Sequence, residues 1–249
     1  ELGTNFEYLK QFNLGLSGRS FYEDIETDSS ASDKQKKQSG SYWDTFSSIS
    51  FDLDKRNQRF RTTEGYRSTF STDIPVITKT NTLTNKYVYN YYSELYENNL
   101  SNFSIFLKSA KSLTNDDIKL SERLYIPGRR LRGFESGKIG PKDGGDFIGG
   151  NYITSLNFTT TLPQILENSQ NVDFLLFFDA ANVWGVDYSS TIDDGSQIRS
   201  AIGFGVDWFT PIGPLNFSIS EALTKSSTDI TENFRFNLGT TFWWNYYLN

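Results

Sequence analysis

The chain contains no cysteine, no histidine and no methionine. Without cysteine neither a disulfide framework nor a thiolate metal site is available, and without histidine the commonest zinc ligand and the commonest general base are both missing. The expectation is a non-enzymatic function that uses no metal and no cofactor. Positive charge is lacking too: the net charge is −6, which excludes the cationic surface that nucleic acid requires. No stretch approaches the roughly eighteen apolar residues of a membrane helix, the densest being Phe174 to Phe178. If the chain crosses a bilayer, it does so as a barrel. Glu1 stands first and no methionine follows, so the chain is expected to be a processed or truncated piece.

Proline is scarce, but aromatics make up 16% of the 249 residues, with 21 Phe and 14 Tyr. Their spacing has a period of two rather than 3.6, and one all-β domain of this size is ordinary. Strands are predicted over Asn5 to Arg19, Thr45 to Asp54, Tyr66 to Ile74 with Pro75 as its stop, Asn85 to Glu97, and Leu100 to Lys108. After a central loop, Tyr152 to Thr159 and Asp173 to Ala180 alternate more sharply. So do Ile202 to Trp208, Leu215 to Ser220, and Asn233 to Phe242. The run from Glu23 to Gly40 is too poor in apolar residues to bury anything and reads as a solvated loop, its KQKK segment included. Asn57 to Gly65 reads as a polar turn.

About ten strands exceed what an open sheet carries without curling or splitting. Alternation alone does not separate a sandwich with apolar residues inside from a membrane barrel with apolar residues outside. Three features favour the barrel: a Gly, Ser and Asn-rich polar face suited to a wet lumen, strands of about nine to eleven residues, and long loops alternating with short turns. The Tyr-rich strand at Asn85 to Glu97 then supplies an interfacial aromatic girdle.

The stretch from Leu124 to Trp184 organises the rest. It opens with a basic, glycine-rich loop, Gly128 to Gly150, and a loop of roughly twenty or more residues in a compact domain is usually functional or disordered. Arg132 within it is either a solvated charge or, with its rigid donor fork and the permissive Gly133 beside it, a carboxylate ligand.

The ordered series Leu131-Arg132-Gly133-Phe134, Ile139-Gly140-Pro141-Lys142, Ile148-Gly149-Gly150-Asn151, Phe177-Phe178-Asp179-Ala180-Ala181-Asn182-Val183-Trp184, Trp208 to Leu215 and Phe234-Arg235-Phe236-Asn237-Leu238-Gly239 resembles the barrel of BamA-type outer-membrane protein assembly factors. The resemblance implies an antiparallel transmembrane β-barrel of the bacterial outer membrane, with residues 1–249 as about ten C-terminal strands of a sixteen-stranded barrel. The amino-terminal POTRA domains and the early strands are absent from this sequence. Residues 112–150 become the long extracellular loop carrying the tetrad. Arg132 is implied to reach into the lumen and pair with Asp179, while Asn157 stands where the family has a second carboxylate, which is expected to weaken the anchor. The last strand, with Phe234, Phe236, Leu238, Gly239 and Phe242, is implied to form one side of a lateral gate. Gly239 is either an ordinary strand glycine or the site of an inward kink, and the aromatic tail 243–249 is either interfacial or a continuation of the strand.

The implied function is insertion of β-barrel precursors into the outer membrane by an insertase. Its partners would be unfolded outer-membrane proteins, the lipoproteins of an assembly complex, and the lipid bilayer with its lipopolysaccharide. A translocation pore of a two-partner or autotransporter-type secretion system is the alternative within the superfamily, and a passive porin the alternative outside it. An enzyme is disfavoured, because Asp116-Asp117 and Asp193-Asp194 are acidic loop pairs with no base beside a nucleophile.

Overall fold

The computed structural model describes residues 1–114, 116–163, 171–189, 192, 197–211 and 213–238. Its six leading strands are β1 (Leu2–Leu9), β2 (Phe12–Ile25), β3 (Gly40–Asp54), β4 (Gly65–Ile77), β5 (Thr82–Ser93) and β6 (Ser101–Ser112). A small hairpin, β7 (Lys142–Asp143) and β8 (Asp146–Phe147), lies inside the long loop. Five more strands follow: β9 (Tyr152–Thr161), β10 (Val172–Trp184), β11 (Arg199–Thr210), β12 (Gly213–Thr224) and β13 (Phe234–Leu238). All but the small hairpin join in one 11-stranded antiparallel sheet in which each strand pairs with its neighbour in sequence, β6 meeting β9 across the loop. Among the described residues no ladder joins β1 to β13, so the sheet is open.

The eleventh strand arises because the first predicted strand is two. Residues 10 and 11 make a tight turn, with Gln11 at a φ of 67° and its amide held by the Glu7 carboxylate at 2.7 Å. Nothing in Leu9-Lys10-Gln11-Phe12 carries the usual glycine or asparagine turn signal, so the alternation runs through the bend unmarked. Pro75 does not stop β4, which continues to Ile77; the ladder opposite it shifts register between Thr45 and Phe46, and a bulge is where a strand tolerates proline. The predicted solvated loop at Glu23 to Gly40 shrinks to 26–39 and holds a one-turn helix, α1 (Asp33–Lys36). Ser32 and Gln35 close it as a capping box, with Gln35 buried, so the KQKK segment is not uniformly solvated. The polar turn before β4 also reaches across the sheet: Arg61 pairs with Asp173 of β10 at 2.6 Å, and Phe60 meets Phe209 of β11 edge-on at 5.8 Å.

The two faces of the sheet differ as period-two patterning demands. One lateral row, Phe103, Phe158, Phe178 and Ile202, runs in register across β6, β9, β10 and β11, and three of its members are exposed on the outer face. The adjacent row, Ser104, Asn157, Asp179 and Ala201, faces the other way and is buried. Large apolar groups outside and small or polar groups inside is the membrane-barrel arrangement rather than the sandwich. The inner face here is not a wet surface, however. The loop lays Ile126, Leu131, Phe134 and Ile139 onto it, and they form one cluster with Phe106, Ala181, Val183 and Ala201.

The longer connections 26–39, 113–151, 185–198 and 225–233 leave one edge of the sheet, with the short link 78–81 among them. Residues 55–64, 94–100 and 162–171 leave the other.

Candidate functional site

The loop between β6 and β9 is an ordered element with a neck, a root and a tip. At the neck, Leu124 and Gly150 form an isolated antiparallel bridge with reciprocal backbone hydrogen bonds of 2.8 and 2.9 Å. Gly150 is required there because a Cβ would come 2.4 Å from the Trp184 carbonyl oxygen. Arg123, buried beside the neck, donates to Asp187 and to Asn151.

At the root, Lys119 is 1% exposed. Its ammonium donates to Asp44 of β3 and to Glu23 of β2 at 2.6 Å, with Glu122 at 3.6 Å. Burial works against that charge, but Asp44 and Glu23 outweigh it and hold the group above the ordinary lysine range. A lysine raised on folding contributes stability that is complete below its unfolded value and disappears only as pH climbs through the higher folded one. Protection of the loop root against amide exchange, corrected for intrinsic rates, is therefore expected to stay constant from about pH 7 to about pH 9. A loss of protection inside that window would contradict this account.

At the tip, the 3-10 turn Gly128–Arg130 delivers the tetrad to the inner face. The Arg132 side chain donates from Nε to Asp179 Oδ2 at 2.7 Å and from Nη2 to Asp179 Oδ1 at 2.9 Å, a side-on, two-point pairing. Its backbone amide donates to the same Oδ2 at 3.0 Å. The guanidinium carbon lies 3.4 Å from the centre of the Phe177 ring, and Nη2 also reaches Thr159 at 3.2 Å. Asp179 is wholly buried, and all the donors around it are supplied by the loop and by β9. Leu131 and Phe134, each 1% exposed, flank Arg132 in the chain and are packed into the apolar cluster, while the Arg132 side chain keeps 18% of its surface. Burying two such side chains contributes roughly 1.5–3 kcal/mol each.

Asn157 is placed directly opposite Asp179 in the ladder. Its amide donates to Asp179 Oδ1 at 2.8 Å and to the Arg130 carbonyl at 2.8 Å. It therefore braces the carboxylate and the loop backbone together. A second carboxylate at 157 would face Asp179 as a like charge, which a cross-strand pair disfavours. Arg130, by contrast, has no acid in contact among the described residues: it donates to Ser104 at 2.6 Å and lies over Phe106 at 5.0 Å. Burial, with Arg129 beside it, lowers its guanidinium to about 10.

The structure thus brings Leu131, Arg132, Gly133, Phe134, Asn157 and Asp179 into one contact set. Phe234, Phe236 and Leu238 lie apart from it, exposed on the outer face of β13. Gly239, Phe242 and the tail 243–249 lie outside the described residues, as do Asp193 and Asp194. Asp116 and Asp117 are exposed. Among the described residues no group of three or more acidic, histidine or cysteine side chains is placed to hold a metal. Sequence reasoning missed Thr159, Phe177, Lys119, Asp44 and Arg235. Phe177 was within reach, because it lies two positions from Asp179 and so shares its face.

The model of the Omp85 superfamily domain matches residues 2–242. The outer membrane protein assembly factor BamA of Neisseria meningitidis serogroup B is 31% identical over 157 residues, 51% of this chain and 19% of that protein. The BamA of Neorickettsia risticii is 25% identical over 128 residues, 50% of this chain and 17% of that one. The matched segment is therefore less than a fifth of either relative. The crystal structure of BamA from Haemophilus ducreyi lacking POTRA domains 1–3 superposes with a TM-score of 0.81, covering 96% of this chain and 53% of that one at 23% identity.

Proposed function

The chain belongs to the Omp85 superfamily, and from that premise we propose that it is the C-terminal part of the barrel of an outer-membrane protein assembly factor, acting as an insertase for β-barrel precursors. It is an outer-membrane barrel segment, with its long-loop edge toward the cell exterior. The single observation that carries the reading is the docked tetrad. A side-on Arg132–Asp179 pair, its carboxylate wholly buried and its neighbours Leu131 and Phe134 packed into the apolar cluster, holds a long loop against the inner wall beside the last strands.

The mechanism follows from what a sheet edge offers. β13 is paired with β12 over five residues, Leu215 to Ile219 opposite Phe234 to Leu238, and its other side carries unpaired backbone groups among the described residues. An unfolded precursor strand adds to such an edge by backbone hydrogen bonding, with no nucleotide consumed. The exposed apolar row on the outer face keeps this edge at bilayer depth. Accessory lipoproteins and lipopolysaccharide would meet the parts of the full-length protein around this segment.

The alternative readings have less support. A passive porin needs an open lumen, whereas here an apolar cluster fills the wall under the loop. The test is depletion of the full-length protein in its own bacterium with replacement by wild-type or Asp179→Ala protein. Folded outer-membrane barrels are expected to fall at least tenfold on depletion and to recover with the wild type only. Unchanged levels of folded barrels on depletion would sink the assembly reading, and loss of one secreted protein alone would favour the translocation pore.

A further inference from the structure

The tetrad does more than pair with β10. Successive residues of the loop meet successive strands. Arg132 is held by Asp179 of β10. A Cβ on Gly133 would stand 2.9 Å from the Ala201 Cβ of β11 and 3.4 Å from the Ser220 Oγ of β12. Phe134 bridges to Thr231, just ahead of β13.

That last contact is a short piece of added sheet. The Glu135 amide donates to the Ile230 carbonyl at 2.9 Å, the Glu232 amide to the Gly133 carbonyl at 3.1 Å, and the Ile230 amide to the Lys138 carbonyl at 3.1 Å. Arg235 of β13 then closes it. From a side chain only 12% exposed, its guanidinium donates to the Phe134 carbonyl at 2.5 Å and to the Gly128 carbonyl. Glu232 accepts from Nε at 3.1 Å and from Nη2 at 2.7 Å and fixes the fork in that orientation. A Cβ on Gly128 would lie 2.8 Å from Arg235 Nη1, so glycine is what lets the guanidinium in.

We propose that Arg235 is a positioning residue that couples the docked loop to the last strand, so that the Arg132–Asp179 anchor on β10 also restrains β13. This rests on the assembly reading for its biological purpose, but the coupling itself does not. The loop is a strut across four strands, pinned at β10 by one arginine and at β13 by another. Because both pins act on the same seven-residue run, Gly128 to Phe134, releasing one loosens the other by linkage.

The experiment uses the full-length protein in detergent or liposomes and reads amide hydrogen exchange. Arg235→Gln removes the charge and most of the fork while keeping the side-chain length. It is expected to raise exchange at Glu135, Ile230 and Glu232 about tenfold or more, as local opening without global unfolding does. Arg235→Lys, which retains the charge but not the two-carbonyl geometry, is expected to fall between wild type and Arg235→Gln. Asp179→Asn, on the far pin, is expected to raise exchange at Ile230 and Glu232 as well. Heat-modifiable migration on a gel checks that each barrel remains folded.

Unchanged exchange at Ile230 and Glu232 in a folded Arg235→Gln barrel overturns the coupling. So does an Asp179→Asn barrel in which the Arg132 amide opens and those two amides do not. Folding of client barrels into the same liposomes is measured in parallel. Raised exchange with unaltered client folding supports the strut and counts against the assembly reading alone.

Discussion

Asp179→Ala is expected to release the loop tip from the wall at a cost of about 3–5 kcal/mol, the range for removing one member of a buried pair. Four hydrogen bonds converge on that carboxylate, from the Arg132 amide, its Nε and Nη2, and the Asn157 amide. Alanine leaves the Arg132 amide and Nε without an acceptor, Nη2 with Thr159 alone and the Asn157 amide with the Arg130 carbonyl alone, whereas Arg132→Ala still leaves Asp179 with the Asn157 amide and the residue 132 backbone amide. The arginine variant is therefore expected to lose less. Limited proteolysis of the loop in the full-length protein, with the barrel intact on a gel, ranks the two. Equal cleavage of both, or cleavage no faster than in the wild type, would remove the carboxylate from its central place.

Gly133→Ala carries the second large effect, about 2–5 kcal/mol, from two separable causes. The residue has a φ of 90°, a conformation that strains any L side chain by roughly 1–2 kcal/mol. The added methyl would also meet the Ala201 Cβ at 2.9 Å, and overpacking of that kind costs roughly 1–3 kcal/mol. The double variant Gly133→Ala with Ala201→Gly clears the steric part and leaves the backbone part. It is expected to recover about half of the lost protection of the tip in amide exchange. No recovery would mean that backbone strain alone sets the cost; complete recovery would mean that the positive φ costs nothing.

What could be read from the amino acids is explained by the same physics. Alternation with period two located the long strands from β3 onward and assigned Phe178 and Asp179 to opposite faces before any pairing was known, but it ran β1 and β2 together. It failed where the backbone, not the side chains, made the decision. The turn at Lys10-Gln11 has no residue that announces a positive φ, and Pro75 reads as a strand stop because alternation carries no mark of the bulge at Val76, where Thr45 pairs with Ile77 and Phe46 with Pro75, that lets β4 run on. At the site, the resemblance supplied Arg132 and Asp179, and it led Asn157 to be valued as a missing charge. The hydrogen bonds give it a different place, as a donor to the carboxylate that remains. Lys119 and Asp44 are 75 residues apart and Arg235 and Phe134 are 101 apart, and a single sequence holds no periodicity that connects such partners.

The row Ser104, Asn157, Asp179 and Ala201 also bears on the order in which the chain folds. Each member comes from a different strand, and the period of two means that a one-residue slip of β11 would replace Ala201 on the inner face with Ser200 or Ile202. Isoleucine under Gly133 would leave no room for the tetrad. The seat for the loop therefore does not exist until β6, β9, β10 and β11 are paired in their native alignment. Docking becomes a readout of correct strand pairing, a late proofreading event in which the barrel wall is checked by its own longest loop.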